Sequence, residues 1–532
     1  MRQMGYHRQV NIRYLALLLT AGAAVAQTPV SSQCSSPAAV QKGLPAWNGW
    51  ADPANTRFQP ARAAGLTSQT TPKLKLRWAF GFPDVTTAFG NPTVFAGRIF
   101  VGTANGAVYS LDAGSGCTYW TYTAAAGVRT APVIDDAGHA AYFGDLRGNV
   151  YAVDVATGAL IWKVRADEHP KAVITGSPKL YAGRLYVPVS GRDESIAATD
   201  PTYECCTFRG SVVALNAANG SRIWQAYTVP DTPKETGRNA KGSRTWGPSG
   251  AVPWSSPTLD LDKKVLYVGT GVNYSQPPTI TSDAIVAFDM GSGRLLWSRQ
   301  FTSGDTYNFA CGAAAKDKTN CPKDPYIDSD LGNSGILREL GSHKRILVAS
   351  DKSGMVYGID PDHAGEILWK QKIATGGANG GTMWGGASDD SGAAYIGISD
   401  FTPGKPEVGG GLIALQLATG EKLWMTPAPK PACLALPGCS AAQPAPVTAI
   451  PGVAFLGSWD GHIRAYETKA GKIIWDFDTV QDFQTVNGVK AHGGSINSMA
   501  PVVAGGSLYV TSGYTGTGMR GNVLLAFSAE GK

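Results

Sequence analysis

The sequence predicts an all-β fold: an eight-bladed β-propeller with tryptophan-docking repeats, its ring closed by N- and C-terminal strands in one blade. Three observations predict it. A tryptophan-ended repeat recurs seven times, glycine is abundant (66) while only 16% of residues are charged, and a truncated eighth copy stands at the C-terminus. The repeat reads Gly-x-apolar-x-Ala/Gly-apolar-Asp-x-x-x-Gly-x-x-x-Trp. It occurs as GAVYSLDAGSGCTYW to Trp120, GNVYAVDVATGALIW to Trp162, GSVVALNAANGSRIW to Trp224 and DAIVAFDMGSGRLLW to Trp297. GMVYGIDPDHAGEILW to Trp369, GGLIALQLATGEKLW to Trp424 and GHIRAYETKAGKIIW to Trp475 complete the series.

Each copy reads as a strand, a turn and a second strand. An Asp or Asn side chain bonds backbone groups of its own turn, and glycine takes the positive φ that the turn needs. Further strand pairs precede most copies, such as GRIFVG before Gly106 and AAYFGD before Gly148. Four strands per unit make a propeller blade. The closing segment GNVLLAFSAEG has the first strand of the motif but no tryptophan, and LKLRW, ending at Trp78, supplies the missing outer strand. Closure of this kind removes exposed sheet edges. The tryptophans are therefore scaffold. Successive repeat tryptophans from Trp120 to Trp475 lie 42, 62, 73, 72, 55 and 51 residues apart. Everything beyond the 42-residue unit is insertion, and inserted loops on a rigid scaffold are where function concentrates.

Residues 1–26 read as a secretory signal peptide: Arg2, Arg8 and Arg13, then the apolar run YLALLLTAGAAV, then Ala24-Val25-Ala26 before Gln27. The run is shorter than the ~20 residues of a membrane span, so residues 27–532 are expected as a single propeller without an integral membrane segment, periplasmic or secreted. The formal charge of +6 includes those three arginines; what remains gives no basic stripe and no case for nucleic acid. Eight cysteines fit an oxidising compartment. Cys311 with Cys321 and Cys433 with Cys439 close short loops, Cys205 and Cys206 are adjacent, and Cys34 and Cys117 are left over. No CxxC argues for zinc, and no CxxCH for a covalent haem.

With the repeat in place, the chain resembles the eight-bladed quinoprotein alcohol dehydrogenases, which use pyrroloquinoline quinone (PQQ). The opening WNGWADPANTRFQPARAAGLTSQTTPKLKLRW is similar to that family's entry segment. YECCTFRGSVVALNAANG, TWGPSGAVPWSSPTLD, VLYVGTGVNYS, SDAIVAFD and GNVLLAF resemble its polyvinyl-alcohol dehydrogenase branch. The resemblance implies oxidation of an alcohol, such as secondary hydroxyls of a polymer, at a quinone beside Ca²⁺. The cation polarises the quinone, and a carboxylate takes the hydroxyl proton. Without a haem motif, electrons would go to a separate acceptor such as cytochrome c.

Matched motif by motif, Trp254 in WSSPTLD resembles the platform under the quinone, with Trp246 as a rival. Asp305 in SGD resembles the catalytic base and cation ligand, and Asn273 in GTGVN the amide ligand, one residue later than in familiar members. The glutamate ligand falls in an insertion, SGRDESIAATDPTYECCTFRG, where counting from Ser190-Gly191 favours Glu194 and counting back from Arg209-Gly210 favours Glu204; Glu194 is preferred. Lys352 in SDKSG matches the basic residue that bonds the quinone oxygens. Thr175 in ITGSP matches a hydroxyl contact to the cofactor. Arg129 is a reading from chemistry, a planar fork suited to a cofactor carboxylate. Cys205 and Cys206 resemble the bonded neighbouring cysteines that cover the quinone, although here on a different segment, and are expected as a bonded pair at the channel mouth. The competing reading is a non-catalytic propeller that binds protein partners; it explains the repeat but leaves the Trp254, Asn273, Asp305 and Lys352 matches as coincidence.

Overall fold

The computed structural model describes residues 32–35, 43–323, 325, 328–341 and 343–531; the signal-peptide reading at 1–26 lies outside them. Eight antiparallel sheets follow one another along the chain, each built outward strand by strand. In the first, Thr93–Phe95, Arg98–Gly102, Ala107–Asp112 and Thr118–Thr123 pair in that order. The third blade differs only in that two pieces, Ala172–Val173 and Lys179–Tyr181, share the inner edge of Arg184–Gly191. The last sheet closes the ring. Lys75–Gly81 lies antiparallel to Val523–Ser528, with Trp78 opposite Ala526.

The repeat's spacing is explained by contacts between neighbouring blades. Each docking tryptophan reaches the turn of the next blade: Trp120 Nε1 donates to Val155 O at 2.9 Å, Trp162 to Ala217 O at 2.9 Å and Trp369 to Leu417 O at 2.9 Å. Asp154 shapes the receiving turn by accepting from the Thr157 amide and hydroxyl at 2.8 and 2.7 Å. Gly158, at φ +75°, lies against the Trp120 indole so closely that a Cβ there would stand 2.7 Å from the ring. Glycine is thus required twice over, for backbone conformation and for the docking. Trp475 Nε1 donates to Leu74 O at 3.1 Å, carrying the same joint across the closure.

A second element ties the ring together. Residues 47–59 visit the eight blades in order. Trp47 bonds Val94, Asn48 bonds Ile134, Lys179 Nζ reaches Ala51 O, and Pro53 O accepts from Leu259. Ala54 O accepts from Leu337, Thr56 O from Ser388 and Arg57 O from Ala449, and Gln59 Nε2 donates to Val503 O. A segment bonded to every inner strand must lie across the central channel. Its Arg57 is buried, bonded to Val447 O and sandwiched by Trp47 and Trp50 at 5.0 and 4.7 Å.

In an antiparallel four-strand meander the second-to-third loops and the blade-to-blade loops emerge on one face, while the remaining turns emerge on the other. The Asp/Gly turns of the repeat are third-to-fourth connections and occupy one face. The long segments 192–210, 228–257, 270–283, 301–335 and 373–386 all open on the opposite face. The insertions therefore share one end of the channel.

Candidate active site

Trp254 ends a blade-to-blade loop on that face. Lys352 Nζ lies 5.4 Å from the centre of its ring, and Trp384 stands edge-on to it at 4.8 Å. The Trp254 indole nitrogen is buried with no hydrogen-bond partner. Thr175 donates its hydroxyl to Trp254 O at 3.1 Å and so fixes the backbone at Trp254. The Arg129 guanidinium stacks on Trp384 at 4.2 Å, and one of its terminal nitrogens is buried without a partner. Burial lowers the Arg129 pKa, which Tyr514 only partly opposes. Trp50, Arg129, Thr175, Trp254 and Trp384 line a single cavity. The segment across the channel thus forms part of its wall.

Beside this aromatic chamber lies an unusual accumulation of acid. Lys352 Nζ donates to Asp328 at 2.8 and 3.0 Å and to Asp330 at 2.7 Å. Burial alone would pull Lys352 down, but those two carboxylates reverse the effect and raise its pKa, so it stays an ammonium. Asp305 is fully buried, and no donor completes a hydrogen bond of normal geometry to either oxygen. Burial first, then Asp330 and Asp328, push it up to about 7; the nearby Ser329 amide and Asp283 carboxyl pull the other way. Asp283 is also fully buried with both oxygens unbonded, and burial and Asp305 hold it well above the usual carboxylate range. Burial first, then Asp330, Asp328 and Asp193, raise Glu194 against the pull of Lys352. Five carboxylates thus face one ammonium, an excess of negative charge that costs free energy unless a proton or a cation balances it.

The remaining expected residues separate clearly. Glu204 is exposed and paired with Arg244 at 2.9 and 2.8 Å, away from the acid cluster. Asn273 is held by its neighbours. It is buried beside the 305–307 segment, with Tyr307 N donating to its carbonyl at 2.8 Å. Its Oδ1, however, already accepts from the Thr279 amide and hydroxyl at 2.7 and 3.2 Å, and its Nδ2 donates to Ser249 O at 2.8 Å. Asn273 thus ties two loops together, and because the Thr279 hydroxyl can turn to Thr281 Oγ1 at 3.1 Å instead, one lone pair of Oδ1 can be released. Cys205 and Cys206 are bonded to each other. They are buried in a core cluster with Val252, Val272 and Tyr274, against which Trp254 and Tyr307 pack. The other cysteines pair as Cys34–Cys117, Cys311–Cys321 and Cys433–Cys439.

Comparison with known proteins decides which propeller this is. A family model described as outer membrane protein assembly factor BamB matches residues 75–245 and 209–530, the stretch that carries the repeat. A polyvinylalcohol dehydrogenase of Pseudomonas sp. is 40% identical over 511 residues, covering 91% of this chain and 77% of the relative. One from Sphingopyxis sp. (strain 113P3) is 39% identical over 539 residues, covering 96% and 81%. The chain belongs to the quinoprotein alcohol dehydrogenase family, on its polyvinylalcohol dehydrogenase branch. The crystal structure of quinohemoprotein alcohol dehydrogenase from Comamonas testosteroni has the same fold, with a TM-score of 0.66 and 19% identity over 92% of this chain and 81% of that one.

In this quinoprotein fold, sequence reasoning missed Asp283, Asp328, Asp330 and Trp384. Asp328 and Asp330 sit in IDSDLG, two acids in an otherwise uncharged run entering a blade, and that contrast was the available signal. The chamber fits a flat anionic quinone: it offers an aromatic face with a cation over it, an unpartnered indole N–H and an unpartnered guanidinium N–H. The acid cluster fits a hard cation by donor chemistry, with unbonded oxygens on Asp305 and Asp283. Among the described residues no three histidine, cysteine or carboxylate side chains stand close enough together to hold a metal ion by themselves.

Proposed function

We propose that this chain oxidises alcohols to carbonyl compounds with PQQ and Ca²⁺, passes the electrons to a separate acceptor such as cytochrome c, and works in the periplasm or outside the cell. Secondary hydroxyls of a polymer such as polyvinyl alcohol are the proposed substrate class, following the activity named for the relatives at 40% and 39% identity. Four disulfides support the oxidising compartment, and no helix among the described residues is long and apolar enough to cross a membrane.

The observation that carries the reading is the placement of Asp305, a buried carboxylate with unbonded oxygens, in one acid cluster with the Lys352 that lies over Trp254. When bound, PQQ would supply the two-electron acceptor and Ca²⁺ the Lewis acid. Trp254 and Cys205-Cys206 would enclose the ring. Arg129 would take a cofactor carboxylate with its free N–H, Thr175 would hold the platform, and Lys352 would donate to the cofactor's oxygens from its place between Asp328 and Asp330. Glu194, Asn273 and Asp305 would hold the cation, Asn273 through the lone pair that the Thr279 hydroxyl releases when it turns to Thr281. Asp305 would accept the substrate hydroxyl proton; burial, Asp330 and Asp328 push it up in the cofactor-free chain, and a bound cation would favour its ionised, proton-accepting form. Burial of the chamber excludes bulk water and strengthens each of these interactions.

Equilibrium dialysis of the cofactor-free chain against PQQ tests the site without requiring turnover. Trp254→Ala and Arg129→Ala should each weaken PQQ binding at least about tenfold, the loss expected for an aromatic or arginine anchor. Wild-type affinity in both variants would remove the chamber from the proposal.

A further inference from the structure

The same face holds a second cavity that none of the roles above uses. It is a cleft of about 300 Å³ lined by Asp167, His169, Thr207, Arg209, Tyr227 and Trp246, among others. We infer that this cleft is a binding subsite for a distant segment of an uncharged, hydroxyl-bearing chain whose reacting alcohol lies in the quinone chamber. The inference rests on the dehydrogenase reading and specifies what kind of alcohol that reading takes.

Three observations point to such a ligand. The cleft's charges are used internally. Asp167 accepts from the His169 amide at 2.8 Å and from Gln225 Nε2. Arg209 donates to Val229 O and Pro230 O at 3.3 and 3.0 Å and lies over Tyr227 at 3.7 Å. One carboxylate against one guanidinium leaves little net attraction for an ion. His169 is also neutral in character: its Nδ1 accepts from the Lys171 amide at 3.2 Å, so Nε2 carries the proton and donates to Thr207 Oγ1 at 3.0 Å. The Thr207 hydroxyl proton is then left for a ligand oxygen. Beside it, the Trp246 and Tyr227 rings line the cleft and supply apolar carbon surface, each with one face covered by a guanidinium, Arg244 at 5.0 Å and Arg209 at 3.7 Å. Aromatic faces with neutral hydrogen-bonding groups between them suit a polyol rather than a phosphate, a peptide terminus or a hydrocarbon.

The cleft is also built onto the chamber. Trp246 and the bonded cysteines exchange backbone hydrogen bonds, Trp246 N to Cys205 O at 2.8 Å and Cys206 N to Trp246 O at 3.3 Å. A pair of bonded strands is only ~5 Å across, so the segment lining the cleft is the neighbour of the bonded cysteines, whose core cluster Trp254 packs against. Asp193 accepts from the Thr207 and Phe208 amides at 2.9 Å each, and the next residue, Glu194, faces the acid cluster. One short helix, Asp193–Thr199, thus sets both the cleft wall and the proposed cation ligand. A small alcohol has no use for the second cavity, whereas a long chain of repeated hydroxyls has.

The test uses the full chain with PQQ and calcium and compares polyvinyl alcohol with a short secondary alcohol, 2-pentanol. Trp246→Ala should lower kcat/KM for the polymer about tenfold through KM, and leave 2-pentanol within about twofold. Thr207→Val, which keeps shape and backbone, should do the same to a smaller degree, and near-ultraviolet circular dichroism checks that both variants fold. Equal losses on both substrates, or polymer kinetics unchanged in both variants, would overturn the inference. Polymer binding to the cofactor-free chain, followed by calorimetry, separates this outcome from failure of the dehydrogenase reading: binding that is lost in Trp246→Ala, in a protein that oxidises no alcohol, supports the cleft and rejects the chemistry. A parallel titration with a dextran oligosaccharide distinguishes a sugar chain from a simple polyol as the natural source of the hydroxyls.

Discussion

Replacing Asp305 with asparagine is expected to have two opposite effects, abolishing turnover while stabilising the cofactor-free protein. Asp305 ionises at about 7 instead of 3.8 because of burial, Asp330 and Asp328, in that order. At about 1.4 kcal/mol for each pH unit, ionising it in the folded chain costs at most about 4 kcal/mol. Because the cluster shares its charge, a stabilisation on the order of 2 kcal/mol is the working figure. The sign follows from where protons are held. Between about pH 4 and pH 7 the folded protein keeps a proton that the unfolded chain has lost, so stability falls as pH rises through that window. Urea unfolding in the presence of a chelator should therefore find Asp305→Asn and wild type nearly equal at pH 4.5, with the variant more stable at pH 8. Alcohol oxidation by the reconstituted variant should fall by about 10²–10⁴, the usual contribution of a general base. A variant that is less stable at pH 8, or a gap that does not change with pH, would refute the electrostatic reasoning. Retained turnover would remove Asp305 from the mechanism.

The two candidate glutamates should separate in calcium titrations: Glu194→Gln should weaken calcium binding by at least about tenfold. Glu204→Gln, which breaks only an exposed ion pair worth about 0–1 kcal/mol, should leave the affinity unchanged. Lys352→Met leaves Asp328 and Asp330 buried without their counter-charge and should cost about 3–5 kcal/mol at neutral pH, a loss that shrinks in acid as the carboxylates protonate; denaturant midpoints at pH 5 and 8 measure it. Gly158→Ala forces a left-handed backbone and a clash with Trp120, and should lower stability by about 2–3 kcal/mol in thermal unfolding.

The scaffold was readable in the sequence because its chemistry is local and repeated. The Asp154 turn, the Gly158 contact and the Trp120 docking bond all fall within one repeat and the next, so spacing alone exposes them. Trp78 was assignable to the last blade because the C-terminal copy lacks its own tryptophan. The site was only partly readable, because it is assembled across blades by loops with no period. Lys352 and its partners Asp328 and Asp330 lie 24 and 22 residues apart along the chain and meet only through the path of the 301–335 loop. Counting residues could not choose between Glu194 and Glu204 across an insertion, whereas a short helix beginning at Asp193 carries one toward the acid cluster and leaves the other at the surface. Asn273 shows another limit: its position in GTGVN suggests a ligand, but motif matching does not register that Thr279 also bonds its oxygen. The segment 47–59 was visible as an entry motif. That it bonds all eight inner strands depends on ring closure, a property of the whole fold.

The most direct test of the central claim is alcohol-dependent reduction of an artificial electron acceptor by the purified chain, measured with PQQ and Ca²⁺ together, with each alone and with neither. Turnover that requires both, and that disappears in Asp305→Asn while the variant still folds, is the predicted result. No reduction with any primary, secondary or polymeric alcohol, in a protein that binds PQQ and calcium, would contradict it.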